Sequence, residues 1–204
     1  GKIYFTVNKR TENPDMGNTL IAIDCQEKRA SECVSIKASD PFMHIALWGD
    51  QLLLLTRDEF EDGYVSEFFS YNPSTGMVSE ELTEKISKDG MTGRIIWCFC
   101  AAGNFLYTLE QSGSADAPRF FLVKRDTDYI QLAEYEIESK DLPARPGEMF
   151  CVDENHYGLR TFDADLRILE INANKGAEAI QLLEETGTTS DLRATIPTLY
   201  SKKS

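Results

Sequence analysis

Apolar residues in this chain come in short runs, each opened by a turn residue and a polar residue. The clearest is Asp50-Gln51-Leu52-Leu53-Leu54-Leu55-Thr56. Such a run is too short for a helix, is bounded by turn signals, and reads as a strand. The same pattern recurs as Gly1-Lys2-Ile3-Tyr4-Phe5-Thr6-Val7, Gly103-Asn104-Phe105-Leu106-Tyr107-Thr108-Leu109 and Asn155-His156-Tyr157-Gly158-Leu159-Arg160-Thr161. The steps are about 50 residues, a period that marks solenoids, propellers and arrays.

The neighbours of each run recur with it. A short apolar strand precedes the second, third and fourth copies, at residues 44–48, 95–100 and 149–152. A further strand follows each copy, at 20–24, 67–71, 120–124 and 166–171. Turns rich in Asn, Asp, Pro and Gly come next, and a last strand closes each unit at 33–37, 77–82, 129–137 and 177–183. The repeat therefore predicts an all-β chain, a β-propeller of four four-stranded antiparallel blades in a single domain of residues 1–204. The blades are 1–38 with 194–200, 43–82, 94–137 and 148–183. The first copy lacks a preceding strand, and the spacing between units places 194–200 where that strand is needed to close the ring. Pro197 counts against this, because proline cannot donate to a ladder. The alternatives are part of a larger propeller, or a β-sandwich, whose strands are similarly spaced.

The turn Tyr71-Asn72-Pro73-Ser74-Thr75-Gly76 resembles the turn between the third and fourth strands of kelch-type and F-box-associated propeller repeats, where Asn- or Asp-Pro-x-Thr-Gly is common. The double glycine and spaced Tyr/Trp of kelch, and the Gly-His and Trp-Asp pairs of WD repeats, are missing. The resemblance implies propeller architecture, assigns no family and carries over no functional residue.

Charge narrows the partners. A net charge of −13 opposes binding to nucleic acid or an anionic membrane surface and favours a protein or peptide partner of basic character. No apolar run has the length that membrane insertion requires. Of five cysteines, Cys98, Cys100 and Cys151 lie in apolar strands and read as buried thiols, which favours an intracellular location. Cys25 and Cys33 flank a predicted hairpin turn and read as facing each other across it.

Candidate chemistry falls in two places. In a propeller of this connectivity, residues 8–17, 57–63 and 110–118 form long loops on one face with the connections 83–93, 138–147 and 184–191. The densest charge there is Asp58-Glu59-Phe60-Glu61-Asp62, whose carboxylates steer a basic partner toward the apolar anchor Phe60. It departs from a calcium loop, because Phe60 stands where a ligating oxygen is needed. The second place is the mouth of the central channel, lined by His44, Arg94, Arg145 and Glu148, where a small ligand or substrate would bind. His156 falls on the opposite face from His44, so neither a His-rich metal centre nor a Ser-His-Asp triad assembles, and phosphate-binding and nucleophile motifs are absent. The sequence thus favours a non-catalytic interaction module needing no metal or cofactor. The other readings are an enzyme or small-ligand binder, and a structural domain of a larger chain.

Overall fold

The structure is a computed structural model that describes residues 1–8, 17–36, 44–60, 63–80, 83, 94–113, 117–137, 142, 146–152, 156–161, 166–171 and 180–185. Every element is a strand, and all pairing is antiparallel. The first sheet holds β1 (Lys2–Asn8), β2 (Asn18–Asp24) and β3 (Arg29–Ile36). The second holds β4 (His44–Trp48), β5 (Gln51–Phe60), β6 (Gly63–Asn72) and β7 (Met77–Ser79). The third holds β8 (Ile95–Ala102), β9 (Phe105–Ser112), β10 (Arg119–Arg125) and β11 (Gln131–Ile137). The fourth holds β12 (Pro146–Cys151), β13 (His156–Thr161), β14 (Leu166–Ile171) and β15 (Ile180–Glu185). In each sheet the order in space is the order in sequence. The chain is all-β, as its pattern predicts. Among the described residues no helix is long and apolar enough to cross a membrane.

The sheets stack face to face in chain order, which explains why apolar runs replace strict alternation. Along β5, Leu52 and Leu54 pack with Leu20, Ile36 and Tyr4 of the first sheet, whereas Leu53 and Leu55 pack with Phe99, Phe121 and Val123 of the third. Successive strand residues point to opposite faces, so a strand covered on both sides must be apolar at every position. All four leucines are buried, and truncating one to alanine costs about 2–5 kcal/mol. The third sheet is likewise double-sided: Tyr107, Leu109, Phe120 and Leu122 meet Met149, Tyr157 and Leu159 of the fourth. Hydrogen bonds lock adjacent sheets. The Trp48 indole donates to the Gly103 carbonyl at 3.1 Å, and the Ser66 hydroxyl bonds both backbone groups of Ile96.

One turn design recurs at the end of the third strand-forming run of a unit. Asp24, Asn72 and Asp126 each accept two backbone N–H groups from the residues that follow, at 2.9–3.2 Å. A residue with positive φ then returns the chain: Lys28 (52°), Gly76 (72°) and Tyr129 (64°). The Tyr71–Gly76 turn that resembles propeller repeats is therefore one of three built alike, although only it spells out Asn-Pro-x-Thr-Gly.

Three details differ from the sequence reading. The two-residue turns Gly49-Asp50 and Gly103-Asn104 join the pairs Trp48↔Gln51 and Ala102↔Phe105, so Phe105, not Asn104, stands where Gln51 stands. A slip of one residue swaps faces; corrected, Leu52, Leu54 and Thr56 correspond to Leu106, Thr108 and Glu110, the side facing the preceding sheet. The long loop expected at 57–63 is mostly strand: β5 and β6 stay paired out to Phe60↔Gly63. Cys25 and Cys33 do not face each other, because Cys25 lies in the turn and Cys33 sits at a bulge where β3 passes Leu20 and Ile21. Both are free thiols.

Candidate functional site

The acidic candidates sit on the β5–β6 hairpin. Asp58, Glu59 and Phe60 are strand positions paired with Val65, Tyr64 and Gly63. Glu61 and Asp62 lie outside the described residues. β4 pairs with β5 only as far as His44↔Leu55, and β7 pairs with β6 only from Ser70 to Asn72. Among the described residues, the hairpin from Thr56↔Glu67 outward is paired only between its own two strands. Its base is tied to the third sheet through Ser66 and Ile96, and the Thr83 hydroxyl takes a strand's place on β6 by bonding both backbone groups of Phe68.

The channel-mouth candidates divide. His44 lies edge-on to Phe99 with ring centroids 6.2 Å apart, so it faces the third sheet. Arg94 precedes β8 and faces the second. Glu148 is turned away: Met149 packs against the third sheet, and its neighbour Glu148 instead pairs with Arg160 at 2.6 Å on the outer side of the fourth. Arg145 lies outside the described residues. Glu148 is therefore not brought into one pocket with His44 and Arg94.

Arg94 instead enters a charged cluster that the sequence reading missed. Glu110 and Arg125 are fully buried and meet at 2.9 Å; Glu110 also accepts from Thr108 at 2.6 Å and from Arg94 at 3.3 Å. Arg94 continues to Glu134 at 2.8 Å and lies over the Phe121 ring, 4.2 Å from its centroid. The Arg94 guanidinium beside it holds the Glu134 carboxyl below its ordinary range. Arg119, 5.2 Å from the centroid of the same Phe121 ring, makes a two-bond fork to Glu136 and lowers its pKa in the same way. Arg94 and Arg125 balance Glu110 and Glu134 in charge, with Glu110 shared among three donors. Breaking one member of a buried pair costs about 3–5 kcal/mol, because the remaining charge stays desolvated. The cluster links β9, β10, β11 and the residue before β8, holding the third sheet in register.

A signal for it was present. Thr108 and Glu110 share a strand face with Leu106, and Arg125 shares one with Phe121 and Val123. The predicted strands stopped at Leu109 and Lys124, one residue short of each charge. Elsewhere the ionisable groups are spent on packing. Burial, followed by the hydrogen bond with Tyr107, pushes the Tyr157 hydroxyl far above its ordinary pKa. Burial also raises Cys100, helped by the neighbouring Cys151 and Cys98. Among the described residues no group of three or more His, Cys, Asp or Glu is placed to hold a metal ion.

Compared with known proteins, the chain matches no protein-family model and no curated sequence significantly.

Proposed function

We propose that the four sheets are the blades of a β-propeller-type module and that the module is non-catalytic, presenting the β5–β6 hairpin to a basic protein or peptide. The long β5–β6 hairpin carries this reading. A hairpin anchored at its base by Ser66 and Ile96 holds Asp58, Glu59 and Phe60 on a framework already ordered before binding, which reduces the entropy lost on association. Four carboxylates within residues 58–62, in a chain of net charge −13, speed encounter with a basic surface. The buried Glu110 carboxylate, by contrast, accepts from Arg125, Arg94 and Thr108 and so ties strands of the third sheet together.

The test is fluorescence anisotropy of the whole chain against an arrayed set of Lys/Arg-rich peptides, at low and raised salt. Binding should weaken with salt. A variant combining Phe60→Ala with Glu59→Lys and Glu61→Lys should weaken it about tenfold or more, with the melting temperature nearly unchanged. Equal capture by the variant, or binding indifferent to salt, overturns the assignment of this site.

A further inference from the structure

Among the described residues the first sheet has three strands where the others have four, and the place of the fourth is identifiable. In the second, third and fourth sheets the opening strand (β4, β8, β12) pairs with the next one. β1 corresponds to those second strands, since Tyr4, like Leu53 and Tyr107, faces the sheet that follows. The Cys25 amide donates to the Gly1 carbonyl at 3.0 Å. Antiparallel ladders alternate, so Ile3, Phe5 and Val7 also turn their backbone groups toward β2, and Lys2, Tyr4, Thr6 and Asn8 turn theirs to the open edge. Among the described residues no strand pairs with that edge. Side chains show the same gap. Ile3 is 56% exposed on the uncovered face of the first sheet. Leu47 is 64% exposed on the flank of β4 away from β8, whereas β8 has β4 on one side and β12 on the other.

We infer that residues 194–200 of this same chain, Ala-Thr-Ile-Pro-Thr-Leu-Tyr, add to the open edge of β1 as the fourth strand of the first sheet. These residues lie outside the described ones, and chain length singles them out. The connections from the last strand of one sheet to the first of the next are residues 37–43, 80–94 and 138–145, that is seven, fifteen and eight residues. After β15, eight residues (186–193) lead to Ala194. The proline is compatible. Opening strands lie at the edge of every sheet, so each has one side without a ladder, and β12 itself begins with Pro146 paired to Thr161. With Pro197 directed to that free side, parity fixes the rest. Ala194, Ile196, Thr198 and Tyr200 exchange backbone hydrogen bonds with β1, and Thr195 and Leu199 do not. This inference concerns sheet completion and stands whether or not the hairpin captures a peptide.

Residue-resolved amide hydrogen exchange on the intact chain tests it without any substitution. The amides of Tyr4, Thr6 and Asn8 should exchange about a hundredfold or more slower than free-chain rates. Ile196, Thr198 and Tyr200 should be protected, and Thr195 and Leu199 should exchange freely. All of this should be independent of protein concentration. Deleting 194–204 should release Tyr4, Thr6 and Asn8 while β9 stays protected. Rapid exchange along β1 in the intact chain overturns the inference and points to an edge completed by other sequence. Protection of β1 without alternation in 194–200, or protection that rises with concentration as in a second copy, overturns it as well.

Discussion

At Gly158 the ring of Phe150, its register partner on β12, fills the space a β-carbon would need. The aromatic lies across the glycine and replaces the missing side chain as cover for the strand, as in designed sheets where an aromatic shields a glycine. Gly158→Ala should therefore lower stability by about 1–3 kcal/mol, the range for overpacking a filled site, read as a lower urea midpoint. In a Phe150→Ala background the same change should cost much less, and the coupling in that double-mutant cycle measures the steric conflict. Equal cost in both backgrounds would mean that the ring is not the obstacle. This packing explains how a glycine can interrupt the apolar run of the fourth copy. The repeat keeps buried apolar residues at Tyr157 and Leu159 and frees the position between them. The residues legible from the chain were those whose neighbours shared their polarity. Glu110 and Arg125 were not legible because a charge at the end of an apolar run looks like the start of a loop, until its partner across the sheet is known.

Among the elements, the turns were read most fully, since their chemistry is local. Asp24, Asn72 and Asp126 terminate strands by accepting the next free amides, a property of the side chain itself. The three solve the return differently. Gly76 adopts positive φ without steric cost, whereas Lys28 holds φ of 52° with a β-carbon in place. Lys28→Gly should raise stability by up to about 1 kcal/mol, the relief of left-handed strain less the added freedom of glycine in the unfolded chain. Thermal melts of the variant and of Lys28→Ala, which should bring no gain, check this. The reach of β5 was not legible, for the opposite reason. Residues 57–60 are mostly charged, and a hairpin that pairs backbone to backbone needs no apolar face to exist.

For the whole molecule, the shifted groups define both pH limits. Hydrogen bonds from the Glu27 and Gln26 amides lower Asp24, and Arg94 and Arg119 lower Glu134 and Glu136. Their folded-state pKa values lie below the unfolded ones, so the unfolded chain binds more protons in acid. Their stabilisation is complete above the ordinary carboxylate values of 3.8 and 4.5 and is lost as the pH falls through the folded values. Cys100 and Tyr157 are raised instead, so the unfolded chain releases their protons first, and stability falls as pH climbs above about 9 to 10. Melting temperature should be flat from pH 5 to 8 and fall on both sides. Glu134→Gln should flatten the acid limb and Tyr157→Phe the alkaline one, and limbs unmoved by these changes would refute the assignment.

The order of sheets along the chain has a kinetic meaning. Each sheet forms from consecutive strands, and each buries its faces against the sheets beside it in sequence. Contacts are thus local in sequence, and such chains close their loops cheaply and fold fast for an all-β protein. Each unit can zip onto the one synthesised before it, as in a linear array of repeats. Pairing of residues 194–200 with β1 would be the exception, since it joins the first sheet to residues synthesised after the fourth. The first sheet, completed last, should also be the first to loosen, with the Leu52–Leu55 stretch, buried between two sheets, among the last segments to yield.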